Sequence, residues 1–448
     1  MSYMEPFLME LSQALGIINL TAPDKIQSLA DLLSPDLIQQ AFTLTDTVTL
    51  RKRKLPLESM IWLVIGMAIF NNKSMSHIVN LMDIVDRTGK TFTAPSSVIA
   101  RRKTLGEDAV RVLFDLTQRH WHEEARHPLW NGLTLNAVDG VVWRTPDTPE
   151  NAEAFGRATN QHGEAGHPQV RMVCLMELSS HLLRASAMDR YDVNEMRLAA
   201  GLAGQAPDNS VTLFDRGFWS AGLLHAWHTA GENRHWLIPV KKGAKYEVVR
   251  RLGKQDELVV LKTSPQARKQ WEGLPDELMV RLVRRKVNGV ERHVFTSMTD
   301  ALRYPAADVA ELYKHRWEIE MGYREAKQYL CGNRWTLRSK LPEMVRQELW
   351  GVLLTYNLVR YQMVKMAFSL KGDYLPYQLS FSGSLAEILR LLIGLPWSSP
   401  GAVPGHLKHF YSNAAMLKLP QRREREYARE VRRKVQKYSL KNNAGHLK

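Results

Sequence analysis

Asp139 and Asp215 each close a short apolar run, LTLNAV before the first and VTLF before the second, and DRGF opens a turn at Asp215. A carboxylate beside a buried sheet is costly unless it is paired or bound to a metal. Oxygen ligands of this kind suit hard divalent cations. Two such ions held about 3.5 to 4 Å apart can activate an attacking oxygen and stabilise a leaving oxygen, the requirement for phosphodiester cleavage. Either acid alone would read as an ordinary turn-forming Asp after a strand; the repetition of the pattern singles them out.

A third acid must come from LYKHRWEIEMGYREAKQYL, where Glu311, Glu318, Glu320 and Glu325 compete. At about 100° per residue counted from Tyr313, Arg316 falls near −60°, Glu320 near −20° and Lys327 near −40°, so the four share a face. On the same count of about 100° per residue, Glu318 and Glu325 lie near 140° and 120°, on the far side. Tyr, Arg, Glu and Lys on one face suit an acid that binds metal among cations that grip phosphates. The plainer alternative is a solvated, salt-bridged face.

The elements around these residues change texture along the chain. Residues 1–125 are helix formers with helical periodicity, and helix starts are expected at Ser34-Pro35-Asp36 and Ala94-Pro95-Ser96-Ser97. Within them, Ser76–Val85 followed by SVIARRKTL reads either as a DNA-reading helix-turn-helix carrying Arg101, Arg102 and Lys103 or as a solvated basic helix end. Residues 126–340 then give strands LTLNAVDGVVW, QVRMVCLMEL and HLLRASAM, a helix, strand SVTLFD, a second helix and strand HWLIPV. That order, with acids after the first and fourth strands, predicts an α/β, ribonuclease-H-like mixed-sheet catalytic core. ELVVLK, ELMVRLVRRK and ERHVFTS make residues 231–307 a β-rich insertion. Residues 341–420 return to helix, with Leu349–Ile393 a candidate dimer interface. Residues 421–448 form a basic tail of ten Lys or Arg against three Glu.

At 448 residues the chain needs several domains, and its 44% hydrophobic and 24% charged content is that of a globular protein. A net charge of +15 and a pI near 9.7 call for a polyanionic partner. No apolar run reaches the roughly 20 residues of a membrane span, the start has no secretion signal, and no phosphate-cradling Gly-rich loop predicts a nucleotide cofactor. Two distant cysteines, Cys174 and Cys331, support neither a disulfide framework nor a zinc finger. The expected location is the cytoplasm, with the nucleoid. His120, His122 and His127 read as surface histidines rather than a metal set. Trp350, Tyr356 and Tyr361 read as helix packing.

The spacing Tyr313-x2-Arg316-x3-Glu320-x6-Lys327, with AVDG at Asp139 and LFDRGF at Asp215, resembles the YREK-type DDE transposases of the bacterial insertion-sequence group named for its fourth family. The likeness runs over roughly residues 40 to 420. It implies that Asp139, Asp215 and Glu320 are the catalytic, metal-binding triad for two Mg²⁺, which Mn²⁺ could replace, and that Tyr313, Arg316 and Lys327 contact phosphates. It further implies double-stranded DNA partners, the terminal inverted repeats and a target, a homodimer assembled on DNA, and cut-and-paste transfer through a hairpin. Where the group carries a Trp that stacks on a flipped base, matching on VFTS puts Arg292; Trp236 or Trp271 are the alternatives. Two other readings share these residues: a nuclease without strand transfer, and a DNA-binding regulator that has lost chemistry.

Overall fold

The computed structural model describes residues 33–47, 55–82, 84, 94–160, 163–287, 290–332, 336–370, 374–394 and 402–420. The basic tail 421–448 and most of the turn expected within the helix-turn-helix lie outside them. The chain resolves into two compact units, one of residues 1–125, 144–169 and 325–448, the other of residues 126–143 and 170–324.

In the first unit, helices α1 (Pro35–Leu44), α2 (Glu58–Ile69), α3 (Met75–Leu81), α4 (Pro95–Leu105) and α5 (Asp108–Ala125) precede a short α6 (Pro149–Phe155). The C-terminal helices α12 (Pro342–Ser369), α13 (Phe381–Gly394) and α14 (Val403–Ser412) belong to the same unit, so the N-terminal and 341–420 helices are not separate bodies. The physical reason is that α2 is apolar nearly all round and α12 carries apolar residues on every side, so each can hide that surface only against other helices. Met60, Leu63, Val64 and Met67 of α2 are buried, as are Gln347 to Val364 of α12, and α12 packs on α2 and α5. Trp350 meets Phe114, Tyr361 stacks on Trp121 and Tyr356 on Phe381, the packing role expected for these aromatics. The expected dimer interface loses most of its α12 surface to this core.

Gly351 marks the closest approach. A Cβ there would sit 2.1 Å from Cγ1 of Val64, with the Val64 carbonyl oxygen 3.3 Å away. Gly351→Ala is therefore expected to destabilise the protein by about 1–3 kcal/mol, the usual cost of overpacking. Urea denaturation followed by circular dichroism checks this, and an unchanged midpoint would show that α2 and α12 can part without loss.

The basic pair expected to read DNA is buried in the same unit. Arg101 and Arg102 of α4 are each only 5% exposed. Arg101 donates from Nε to the Leu55 carbonyl at 2.8 Å. Arg102 donates to Gln347 Oε1 at 2.6 Å, Ser339 Oγ at 3.0 Å and the Met344 carbonyl at 2.8 Å. Arg102 ties α4 to α12 and Arg101 ties it to the backbone at Leu55, which corrects the expectation that the pair contacts DNA; Lys103 is exposed.

The second unit is built on a mixed sheet. Among the described residues its strands are β1 (Thr134–Arg144), β4 (Gln169–Glu177), β5 (Leu183–Arg190), β6 (Ser210–Phe214), β7 (Arg234–Pro239), β8 (Glu247–Gly253), β9 (Asp256–Lys262), β10 (Glu277–Val287) and β11 (Val290–Thr296); the hairpin β2 (Thr159–Asn160) and β3 (Gly163–Glu164) belongs to the first unit. The order across the sheet is β5-β4-β1-β6-β7-β11-β10-β9-β8. β1, β6 and β7 are parallel neighbours and β11 joins β7 antiparallel, so the β-rich segment extends one continuous sheet. Helix α7 (Glu195–Ala200) precedes β6, and α8 (Ala221–Thr229) covers a core of Val138, Phe214, Leu223, Trp227, Ile238 and Phe295.

Candidate active site

β1 and β6 run parallel in a register whose last pair is Val138 with Phe214. The next residue on each strand is an acid, so the fold sets Asp139 and Asp215 side by side. β1 does not stop at Asp139, as the apolar run implied, but continues to Arg144. Asp215 does end its strand, and caps the 3₁₀ turn Arg216–Phe218 with its side chain accepting from the Arg216 N–H. The Asp139 carboxylate accepts from the N–H of Gly140 at 2.8 Å.

The segment carrying the third acid is not one uniform helix. Beyond α9 (Pro265–Gln270) and α10 (Ala306–Leu312), Tyr313–Arg316 is 3₁₀, α11 spans Trp317–Arg324, and Glu325–Leu330 is π-helical. A single angular count from Tyr313 to Lys327 therefore does not hold over its length. Locally it does: Arg316 and Glu320, one turn apart, form an ion pair of 2.7 Å, and Arg316 reaches Asp139 at 3.8 Å. Glu318 points away, buried against His181 Nε2 at 3.1 Å. Tyr313 donates its hydroxyl to the Phe214 carbonyl at 3.3 Å.

Burial pushes the Asp139 carboxyl up to about 6; the Gly140 N–H and the Arg316 guanidinium oppose this, and the charges of Glu320 and Asp215 add to it. Two carboxylates acting on a third place all three in one field around a single guanidinium. The sign of the pH effect follows. With a folded value near 6 against an ordinary 3.8, an ionised Asp139 costs the metal-free fold stability above about pH 6. That cost is relieved as pH falls from 6 towards 3.8. Asp139→Asn is expected to remove this component, so its stability advantage over the native protein should be present at pH 7.5 and vanish by pH 4. Thermal melts in chelator at both pH values check it, and a pH-independent difference would count against the desolvated acid.

Beside Asp215 lies a cleft of about 310 Å³ lined by Arg216, Pro239, Arg292, His293 and Tyr313 among others. Arg292 Nε is buried there with no hydrogen-bond partner among the described residues, and across the hairpin Arg292 pairs in register with Arg285. Trp236, by contrast, is 3% exposed in the core, and Trp271 packs over Gly222, so neither lines this cleft. Lys327 belongs to the first unit, where burial and the neighbouring Arg144 lower its ammonium to about 8. His127 is not a surface histidine: its side chain is 5% exposed and lies 3.0 Å from the buried Glu177.

An oxygen-only donor set of partly desolvated carboxylates matches what a hard divalent cation requires. The carboxylates are not gathered as ligands in this state, and no three His, Cys, Asp or Glu among the described residues stand close enough together to hold an ion. Glu320 would have to turn from Arg316 towards the two Asp.

Comparison with known proteins gives this site its context. Residues 23–115 match the family described as "Insertion element 4 transposase N-terminal", and residues 130–358 match "Transposase DDE domain". The chain is 51% identical over 432 residues to "Transposase InsG for insertion sequence element IS4" of Escherichia coli (strain K12), covering 96% of this chain and 98% of that protein. It is 35% identical over 234 residues to "Putative transposase InsZ" of the same organism, covering 51% of this chain and 77% of that one. A cryo-EM structure of a piggyBac transposase synaptic complex with hairpin DNA aligns at a TM-score of 0.40 and 10% identity over 90% of this chain and 86% of that one, a likeness too slight to carry an argument.

Proposed function

The chain belongs to the insertion element 4 family of DDE transposases and is an insertion-sequence transposase, and from that premise we propose that Asp139, Asp215 and Glu320 are its catalytic carboxylates, in a YREK-type site on a ribonuclease-H-like sheet. The observation that carries the reading is that matched register sets Asp139 beside Asp215 while Arg316 bridges Asp139 to Glu320 on α11. Divalent ions bound there, Mg²⁺ with Mn²⁺ as a substitute, would supply Lewis-acid activation of the phosphodiester and of the attacking oxygen.

The protein's own groups account for the rest of the chemistry. Asp139 must be ionised to act as a ligand, a condition met above about pH 6. Arg316, released by Glu320, is the guanidinium placed to hold a non-bridging phosphate oxygen, and Tyr313 flanks it. Arg292 is placed to take a planar or anionic group in the cleft beside Asp215, the role the stacking Trp would fill. Lys327 and the exposed Lys103 remain candidate phosphate contacts. The DNA is double-stranded, the terminal inverted repeats and then a target, joined through a hairpin by a homodimer formed on DNA in the cytoplasm, with the nucleoid.

The test uses a duplex carrying the element's terminal repeat, labelled at one strand, incubated with the full chain and Mg²⁺. Nicking at the repeat followed by a product that refolds after alkaline denaturation supports hairpin transfer. Nicking alone favours the nuclease, and binding without any cut favours a regulator.

A further inference from the structure

We infer that Tyr323 is a positioning residue for the metal site, fixing the distance between Glu320 and Asp139 through its hydroxyl; the inference rests on the triad proposed above. Tyr323 lies three residues beyond Glu320 on α11, about 4.5 Å along the axis and close to the same face. Its hydroxyl donates to the backbone carbonyl of Asp139 at 2.6 Å. The bond thus runs from one turn beyond one acid to the main chain of another, and leaves both carboxylates free to turn.

Two further contacts make this bond directional. On β4, the fully buried Cys174 donates to Ser186 Oγ at 3.5 Å and lies close to the Tyr323 hydroxyl, so the oxygen is enclosed from the sheet side. On the opposite side of α11, Glu318 is held by His181, a residue at φ 61° whose own N–H bonds the Glu177 carbonyl at 2.9 Å. Glu177 in turn accepts from Ser179 and Ser180 and lies against His127. α11 is therefore fastened to β1 on one face and to the β4–β5 turn on the other, with Glu320 between the fastenings. Burying so many polar groups brings little net stability, whereas holding a ligand's backbone in place is worth a large factor in metal affinity.

Tyr323→Phe removes only the hydroxyl and keeps the ring. The first measurement is Mn²⁺ binding to the full chain by electron paramagnetic resonance of the free ion, followed by cleavage of the repeat duplex across a Mn²⁺ titration. The expected result is a Kd for Mn²⁺ raised about 10-fold or more, with cleavage largely recovered at saturating Mn²⁺ and duplex affinity in chelator unchanged. Glu320→Ala is measured in parallel. If Glu320→Ala weakens Mn²⁺ binding and Tyr323→Phe does not, the positioning role is overturned and the triad stands. If neither changes binding, the triad itself fails. Should Tyr323→Phe fold poorly, Cys174→Ser, which leaves the ring and the bond to Asp139 in place, is compared. A native Mn²⁺ Kd there supports the Asp139 bond as the fastening; a rise like that expected of Tyr323→Phe overturns it in favour of general packing.

Discussion

Glu320→Ala is expected to lower cleavage of the repeat duplex by about 1,000-fold, with DNA binding retained. Loss of one metal-binding carboxylate removes several kcal/mol of charge stabilisation in the transition state, and about 4 kcal/mol corresponds to three decades in rate. The neighbouring acid behaves differently. Glu318 is buried against His181, so Glu318→Ala leaves a polar group without its partner and is expected to cost about 1–3 kcal/mol of stability. Cleavage by the folded fraction should survive. Gel-resolved cleavage under single-turnover conditions, paired with urea denaturation, separates the two effects. Equal loss of cleavage in both variants would sink the assignment of Glu320 as the third acid.

Arg102→Ala is expected to destabilise the protein by about 3–5 kcal/mol, the cost of breaking a buried charged network by removing one member. Burial lowers the Arg102 guanidinium, with the charge of Glu348 working against that fall. Truncation takes the Arg102 donor from Gln347 Oε1 and the Met344 carbonyl and a favourable charge from beside Glu348. Lys103→Ala, at an exposed site on the same helix, should leave the denaturation midpoint within the scatter of surface substitutions. If Arg102→Ala instead keeps its stability and loses DNA affinity, the surface reading of α4 returns.

These two residues show what a sequence discloses and what it hides. Asp139 and Asp215 were legible because an apolar strand followed by an acid is a local pattern, and register then set them together. Helix angle separates Glu320 from Glu318, and locally the structure follows that angle: Glu320 pairs with Arg316 one turn away while Glu318 faces His181. Over the longer span to Lys327 the same count failed, since 3₁₀ and π segments advance by different angles. The burial of Arg102 is hidden in the sequence because the groups that accept its hydrogen bonds lie some 240 residues away. Tyr323 passed unnoticed although about 100° per residue puts it near −80°, on the face of Arg316; tyrosine beside an acid carries no signal until the carbonyl it meets is known. His127 reads as exposed in the sequence because its partner, Glu177, lies 50 residues on, at the end of β4.

The matched register of β1 and β6 also works as a ruler. Because Asp139 and Asp215 each follow the same hydrogen-bonded pair, the spacing of their backbones is the width of one strand-to-strand step, about 4.8 Å, whatever the side chains do. Such a gauge has no adjustment. Lengthening either acid by a single methylene, as in Asp139→Glu, would overshoot a gap that neither strand can widen, and sliding one strand by a residue would carry its acid about 3.3 Å along and turn it to the other face.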